Sequence, residues 1–272
     1  MDKKDVIKDL VESPISRRSF AKRIGMMSAG AVGTTVMGAS IVNAFGGSAF
    51  AQGGVTDVDI LNFALNLEYL EAEFYTKATE GATIEQEGLI PSSAVSGPTN
   101  GGQKVPNIAN SPIAYIASQV TRDEKHHVQY LRAALGSAAV KKPTINLNAL
   151  GFGFGNWAEF LKLATLFEDV GTSAYLGAAP LIQNKTYLDA AARIYGTEAQ
   201  HSGALRTHAV DYGITIPAVD GKAVPPTPSA PFFVDSQGLT IPRSTREVLN
   251  IVYGNTGNSG GFYPNGLNGN IR

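Results

Sequence analysis

The chain has 272 residues, with 22 Lys and Arg against 23 Asp and Glu, and it contains no cysteine. With 43% hydrophobic residues, that length suits one domain of ordinary size with an appendage. The missing cysteine excludes disulfides, thiolate ligands, iron-sulfur clusters and Cys nucleophiles, so any metal must be held by oxygen and nitrogen.

Residues 1–51 read as a targeting segment. A charged start leads to Ser16-Arg17-Arg18-Ser19-Phe20-Ala21-Lys22, then to an uncharged Gly/Ala/Met/Val-rich run, then to Ala49-Phe50-Ala51 before Gln52. The pattern resembles a twin-arginine export signal, which implies a periplasmic or extracellular protein. A retained anchor is the competing reading, but Gly, Ser and Ala make Ile24 to Ala51 only weakly apolar for a stable span. Cleavage before Gln52 leaves 15 basic and 19 acidic residues, a formal charge of −4. Such a surface has no obvious draw to nucleic acid or anionic lipid, and no membrane span is expected after cleavage.

Four helices follow. The first is expected from Thr56 or Asp57 to about Glu80, with Ile60, Ala64, Leu67 and Phe74 on its apolar side and Gly81 stopping it. Gly81 to Ser111 is rich in Gly, Pro, Ser, Thr and Asn and reads as a long irregular crossover on the surface. Ser111-Pro112 suits the start of a second helix that ends near Gly136. Its stripe of Ile113, Ala117, Val120, Leu131 and Ala134 also contains Glu124 and His127. Asn156, with Glu159 three residues on, opens a third helix carrying Phe160, Ala164, Phe167, Glu168, Gly171 and Tyr175 along one side, until Pro180. The fourth runs from about Asn184 to Tyr212, with Leu188, Ala191, Tyr195, Glu198, His201, Leu205 and His208 at helical spacing. Gly171, Gly177, Gly196 and Gly203 weaken these helices, which calls for close helix approach or space beside a site. Residues 212–272 shift to Pro, Gly and Asn around one short helix capped by Ser244 and Glu247. Their aromatic and aliphatic residues predict a tail packed on the bundle.

Two of the four histidines follow a Glu by three residues, Glu124 with His127 and Glu198 with His201, and both pairs lie on inward stripes. One Glu-x-x-His is more often a solvated helix face than a ligand pair; two copies on apolar stripes are harder to explain that way. Buried carboxylates need compensation, and a metal supplies it. Glu68 and Glu168 complete a set of one Glu from each of two helices and Glu-x-x-His from each of the other two, the pattern of di-iron and di-manganese carboxylate bundles.

By this set, and by Leu61-Asn-Phe-Ala-Leu-Asn-Leu-Glu-Tyr-Leu-Glu-Ala-Glu-Phe-Tyr75, the chain resembles the ferritin-like superfamily over residues 57–211. The resemblance implies an all-α four-helix bundle and two Fe or Mn ions. It makes Glu68 and Glu168 terminal ligands, Glu124 and Glu198 bridging ligands, and His127 and His201 one imidazole for each metal. Tyr75 and Tyr195 are candidate outer-sphere groups, although an inward Tyr is more often core. His126 and His208 are expected in surface or structural roles. On the first helix, Glu68 is preferred over Glu71 because Tyr75 follows it by two turns, which leaves Glu71 as an outer or rim carboxylate. Glu73, about 140° around from Glu68, is expected to face solvent.

The implied function is oxidation of Fe(II) or handling of peroxide or oxygen at one dinuclear centre. A non-enzymatic stress or envelope protein and a metal-buffering protein remain open alternatives. The long first loop and the sixty-residue tail argue against a 24-subunit storage cage, and the oligomeric state is otherwise undetermined.

Overall fold

A computed structural model describes residues 54–272; residues 1–51, expected to be an export signal, lie outside the described residues. The helices are α1 (Asp57–Thr79), α2 (Ala114–Leu135), α3 (Trp157–Ala178), α4 (Lys185–Asp211) and the short α5 (Thr245–Val252). None is long and apolar enough to cross a membrane.

Local chemistry sets most of the helix ends. Thr56 and Asp59 form a reciprocal capping box on α1, whose last carbonyls are closed by the amide of Gly81 at φ 86°. Asn156 and Asn184 accept from the free amides of α3 and α4. Glu159 turns back to the amides of Gly153 and Gly155, so the expected capping box on α3 is half made. Ser111 does not cap α2. Its hydroxyl donates to the Ile108 carbonyl, and α2 begins at Ala114 without a side-chain cap.

Cross-helix contacts fix the topology. Thr79 meets Thr121 while Asn62 reaches Ala138, so α1 and α2 are antiparallel. Trp157 packs on Tyr212 while Asp169 meets Ser202, which makes α3 and α4 antiparallel as well. Tyr75 contacts Glu168 and Tyr175 contacts Glu68, so α1 runs against α3. Tyr115 contacts His208 and Asp123 contacts His201, so α2 runs against α4. The connection that traverses the bundle is therefore 136–156, between α2 and α3, and not the long first loop.

That first loop corrects a second expectation. It joins neighbouring helix ends and is packed, with Ile84, Ile90, Val105 and Ile108 buried. Its two-residue strand β1 (Thr99–Asn100) pairs in parallel with β2 (Ile145–Asn146) of the crossover. Lys142, fully buried, donates to Thr99 Oγ1 and the Gly97 carbonyl and lies 3.0 Å from Glu73. Glu73 is thus buried between loop and helix, contrary to the solvent-facing position read from its helical angle.

The tail covers the rest of α1. Tyr263 Oη donates to the Asn66 carbonyl, Asn66 exchanges hydrogen bonds with Asn268, and Phe262 packs edge-on against Phe167. As a result 17 of the 23 residues of α1 are buried, about the same share as the 16 of 22 in α3, so these two helices form the interior of the bundle. Along α2, Ile113, Ala117, Val120 and Leu131 are buried as expected, but the stripe closes on Leu135 because Ala134 is exposed.

Candidate metal centre

Halfway along the bundle all four helices turn carboxylates inward. Glu68, Glu124, Glu168 and Glu198 are each fully buried, His127 is 8% exposed and His201 6%. Their atoms form two overlapping groups, Glu68, Glu124, His127 and Glu198, and Glu124, Glu168, Glu198 and His201. Within each group one ligand atom per residue lies within 4.8 Å of every other. Glu124 and Glu198 belong to both.

The short contacts converge on the two imidazoles. His127 Nδ1 is 3.1 Å from Glu124, 3.3 Å from Glu68 and 3.3 Å from Glu198. His201 Nδ1 is 3.0 Å from Glu124 and 3.3 Å from Glu168. Yet Glu68 Oε2, Glu124 Oε1, Glu168 Oε2, both oxygens of Glu198 and His201 Nδ1 make no hydrogen bond of acceptable geometry. Buried polar atoms are normally paired. Six unpaired atoms aimed at one another are what a donor set for cations presents, and carboxylate with imidazole suits Fe or Mn.

The outer oxygens are held by two crossed phenols. Tyr75, on α1, donates to Glu168 on α3 at 2.6 Å; Tyr175, on α3, donates to Glu68 on α1 at 2.5 Å. Each Tyr follows its own helix's Glu by seven residues, so the two Glu-x6-Tyr pairs interlock. Tyr175 takes the place the sequence reading gave to Tyr195, which is half-buried, and the repeated spacing was the signal for it. Asp123 was also missed. It accepts from His201 Nε2 at 3.1 Å, the carboxylate–imidazole arrangement that fixes a ligand's orientation. Among the described residues it has no counterpart at His127.

Glu71 is buried one turn beyond Glu68 and points at Gly171. A Cβ built on Gly171 would lie 2.5 Å from Glu198 Oε2 and 2.9 Å from Glu71 Oε1, so this glycine leaves room for two carboxylates. His126 is exposed, and His208 hydrogen-bonds Tyr115 and stacks on Tyr212, away from the cluster.

Among the protein groups alone, burial and crowded negative charge dominate. Burial pushes Glu68 up to about 7 against the pull of His127. Burial, then the neighbouring carboxylates, pushes Glu71 and Glu198 well above the usual range. Glu124 goes the other way: burial would raise it, but the imidazoles on both sides bring it below the ordinary carboxylate value. Burial disfavours charged His201, yet Glu168 and Glu124 overcome this and push it up to about 12. His127 is shifted in the same direction by Glu124 and Glu68. Burial likewise raises Glu168. Four of the five carboxylates, Glu68, Glu71, Glu168 and Glu198, and both imidazoles are therefore shifted toward their protonated forms, and cations could replace those protons.

An antiparallel four-helix bundle with carboxylates from every helix and Glu-x-x-His from two defines a class, the carboxylate-bridged bundle proteins. The chain belongs to the ferritin-like domain family, which matches residues 56–210. It is 27% identical to the ferritin-like catalase Nec2 of Nesocodon mauritianus, over 79% of this chain and 84% of that protein. It is 28% identical to the desiccation-related protein PCC13-62 of Craterostigma plantagineum, over 61% of this chain and 60% of that protein's length.

Proposed function

We propose that this protein holds two Fe or Mn ions and uses them to dispose of peroxide, in a compartment reached by twin-arginine export. The observation carrying the reading is the pair of overlapping donor groups that share Glu124 and Glu198. In this reading Glu68 and His127 would hold one ion and Glu168 and His201 the other, with Glu124 and Glu198, which belong to both groups, available to either. Two redox metals side by side supply or accept the two electrons that separate peroxide from water or oxygen.

The chain's own residues orient and sequester this centre. Tyr75 and Tyr175 hold the outer oxygens of Glu168 and Glu68, so each of these carboxylates keeps its other oxygen free for a cation. Asp123 fixes His201 with Nδ1 turned inward. Glu71, whose carboxyl burial and then the neighbouring carboxylates push well above the usual range, lies beside Glu198 and is placed to give or take a proton. The name of the Nesocodon relative supports peroxide as substrate. Oxidation of Fe(II) fits the same donor set. The name of the Craterostigma relative favours a second reading, a stress protein whose bundle carries metal without turnover.

Protein loaded with Fe or Mn is expected to contain about two ions per chain, and the joint change Glu124→Ala with Glu198→Ala is expected to remove both. Affinity should fall as pH falls, because protons compete for His127 and His201, whose protonated forms the carboxylates already favour. Metal analysis after dialysis at several pH values checks this. Oxygen evolution or peroxide loss in the loaded protein tests the activity, and stoichiometric metal without turnover would transfer support to the stress-protein reading.

A further inference from the structure

On the outer face of α2 and α4 an open groove of about 690 Å³ has His127 in its floor. His127 is the residue whose Nδ1 faces Glu68, Glu124 and Glu198, so the groove reaches the candidate metal centre through one imidazole. The two histidines differ here: His201 Nε2 is bound by Asp123, whereas His127 lines the groove.

The lining is selective. Ile194, buried, and the exposed ring of Tyr130 supply apolar surface, while Arg193 and His126 stand at the exposed rim. No Asp or Glu lines it. With Arg193 at its rim and no carboxylate, the groove offers metal cations no counter-charge and favours an anionic occupant. Nor does peroxide need it, since one water occupies only about 30 Å³. The volume falls instead among sites for small organic molecules, roughly 300–1,000 Å³. Gly196 keeps the groove open: a Cβ there would meet nothing within 4 Å, so no packing contact accounts for the absent side chain.

We infer that this groove is a binding site for a small planar phenolic carboxylate, its ring seated between Tyr130 and Ile194 and resting on His127, its carboxylate paired with Arg193. The inference extends the peroxide reading by giving the oxidant an organic electron donor. Two phenols, each losing one electron and one proton, reduce one hydrogen peroxide to two waters. Binding itself requires no metal, so it is tested separately.

The probe is 4-hydroxybenzoate, titrated by calorimetry and by ligand-observed NMR into the metal-free full chain, with 4-hydroxybenzylamine as its cationic counterpart. Saturable binding of the anion and not of the amine is expected. Gly196→Phe, which fills open space and removes a helix-weakening glycine, should lower affinity at least about tenfold, with Gly196→Leu as the smaller plug. Arg193→Gln should weaken the carboxylate and leave phenol itself unaffected. Circular dichroism confirms the fold of each variant. Equal binding of amine and anion, unchanged affinity in a folded Gly196→Phe variant, or self-association that the same variant abolishes would each overturn the proposal. Saturable anion binding by a chain that takes up no transition metal would remove the peroxide reading and leave the groove in place.

Discussion

Gly171 shows how one missing methyl group can serve a site. In the middle of α3 a glycine costs about 1 kcal/mol relative to alanine, yet an alanine Cβ would sit 2.5 Å from Glu198 Oε2 and 2.9 Å from Glu71 Oε1. Both atoms are the far ends of flexible side chains, so the backbone need not move, but the carboxylates must. Gly171→Ala is therefore expected to leave thermal stability unchanged or slightly improved while weakening metal binding by about 10–100-fold, the range seen when a ligand's supporting surroundings are altered. Competition titration with a chelator, run beside thermal denaturation, separates the two effects. Unchanged affinity would mean that Glu198 does not bind from the position described.

At the scale of elements, what the sequence showed and what it hid divide along a physical line. The two Glu-x-x-His copies, Glu68 and Glu168 were legible because helical period reports angle around a helix axis, and all six side chains lie on inward stripes. Glu73 was not. The helical period gives its angle from Glu68 but carries no information on what covers the far side, and there the first loop and Lys142 close over it. Asp123 was hidden for the same reason, since its partner His201 is 78 residues away. Tyr175 was legible in principle, through the seven-residue spacing that Tyr75 shares.

The buried pair has a measurable consequence. Glu73 is pushed up to about 7 by burial even with Lys142 beside it, and Glu85 stands 3.6 Å from the same ammonium. Lys142→Met leaves that carboxylate without its counter-charge, a change that costs about 3–5 kcal/mol in comparable buried pairs. A raised carboxylate pKa means that the folded state holds the proton more tightly than the unfolded chain. Stability is thus lost as pH rises from the ordinary value of 4.5 through the folded value. The penalty of Lys142→Met should therefore be larger above that window than below it, and the added change Glu73→Gln should recover most of it. Urea denaturation of the single and double variants on both sides of the window checks the sign.

For the whole molecule the question is how a tail rich in Pro, Gly and Asn stays docked. Its anchor is Arg243, 1% exposed, which donates from Nε and Nη2 to the two oxygens of Asp220 and from Nη1 to Ser173 Oγ and the Asp169 carbonyl of α3. Arg206 of α4 reaches outward in return, to Asp169 and to the carbonyls of Val224 and Pro231, and Phe233 lies against both guanidinium groups. Gly177 admits the strand of tail itself, because a Cβ there would lie 1.9 Å from the Arg243 carbonyl oxygen. Hydrogen bonds from Arg243 hold the Asp220 carboxyl below its ordinary value. A depressed carboxylate pKa contributes stability that is fully present above the unfolded value of 3.8 and is lost as pH falls through the folded value. Acid is then expected to free the tail by protonating Asp220 and leaving Arg243 buried without its counter-charge. Asp220→Asn should loosen the tail at neutral pH and remove this contribution to the acid dependence. Proteolysis between residues 213 and 243, followed against pH in both proteins with an acid-tolerant protease, gives the test. Equal acid sensitivity of cleavage in the wild type and in Asp220→Asn would show that Asp220, which lies in the tail with Arg243, does not control how Arg243 docks on Ser173 and the Asp169 carbonyl of α3.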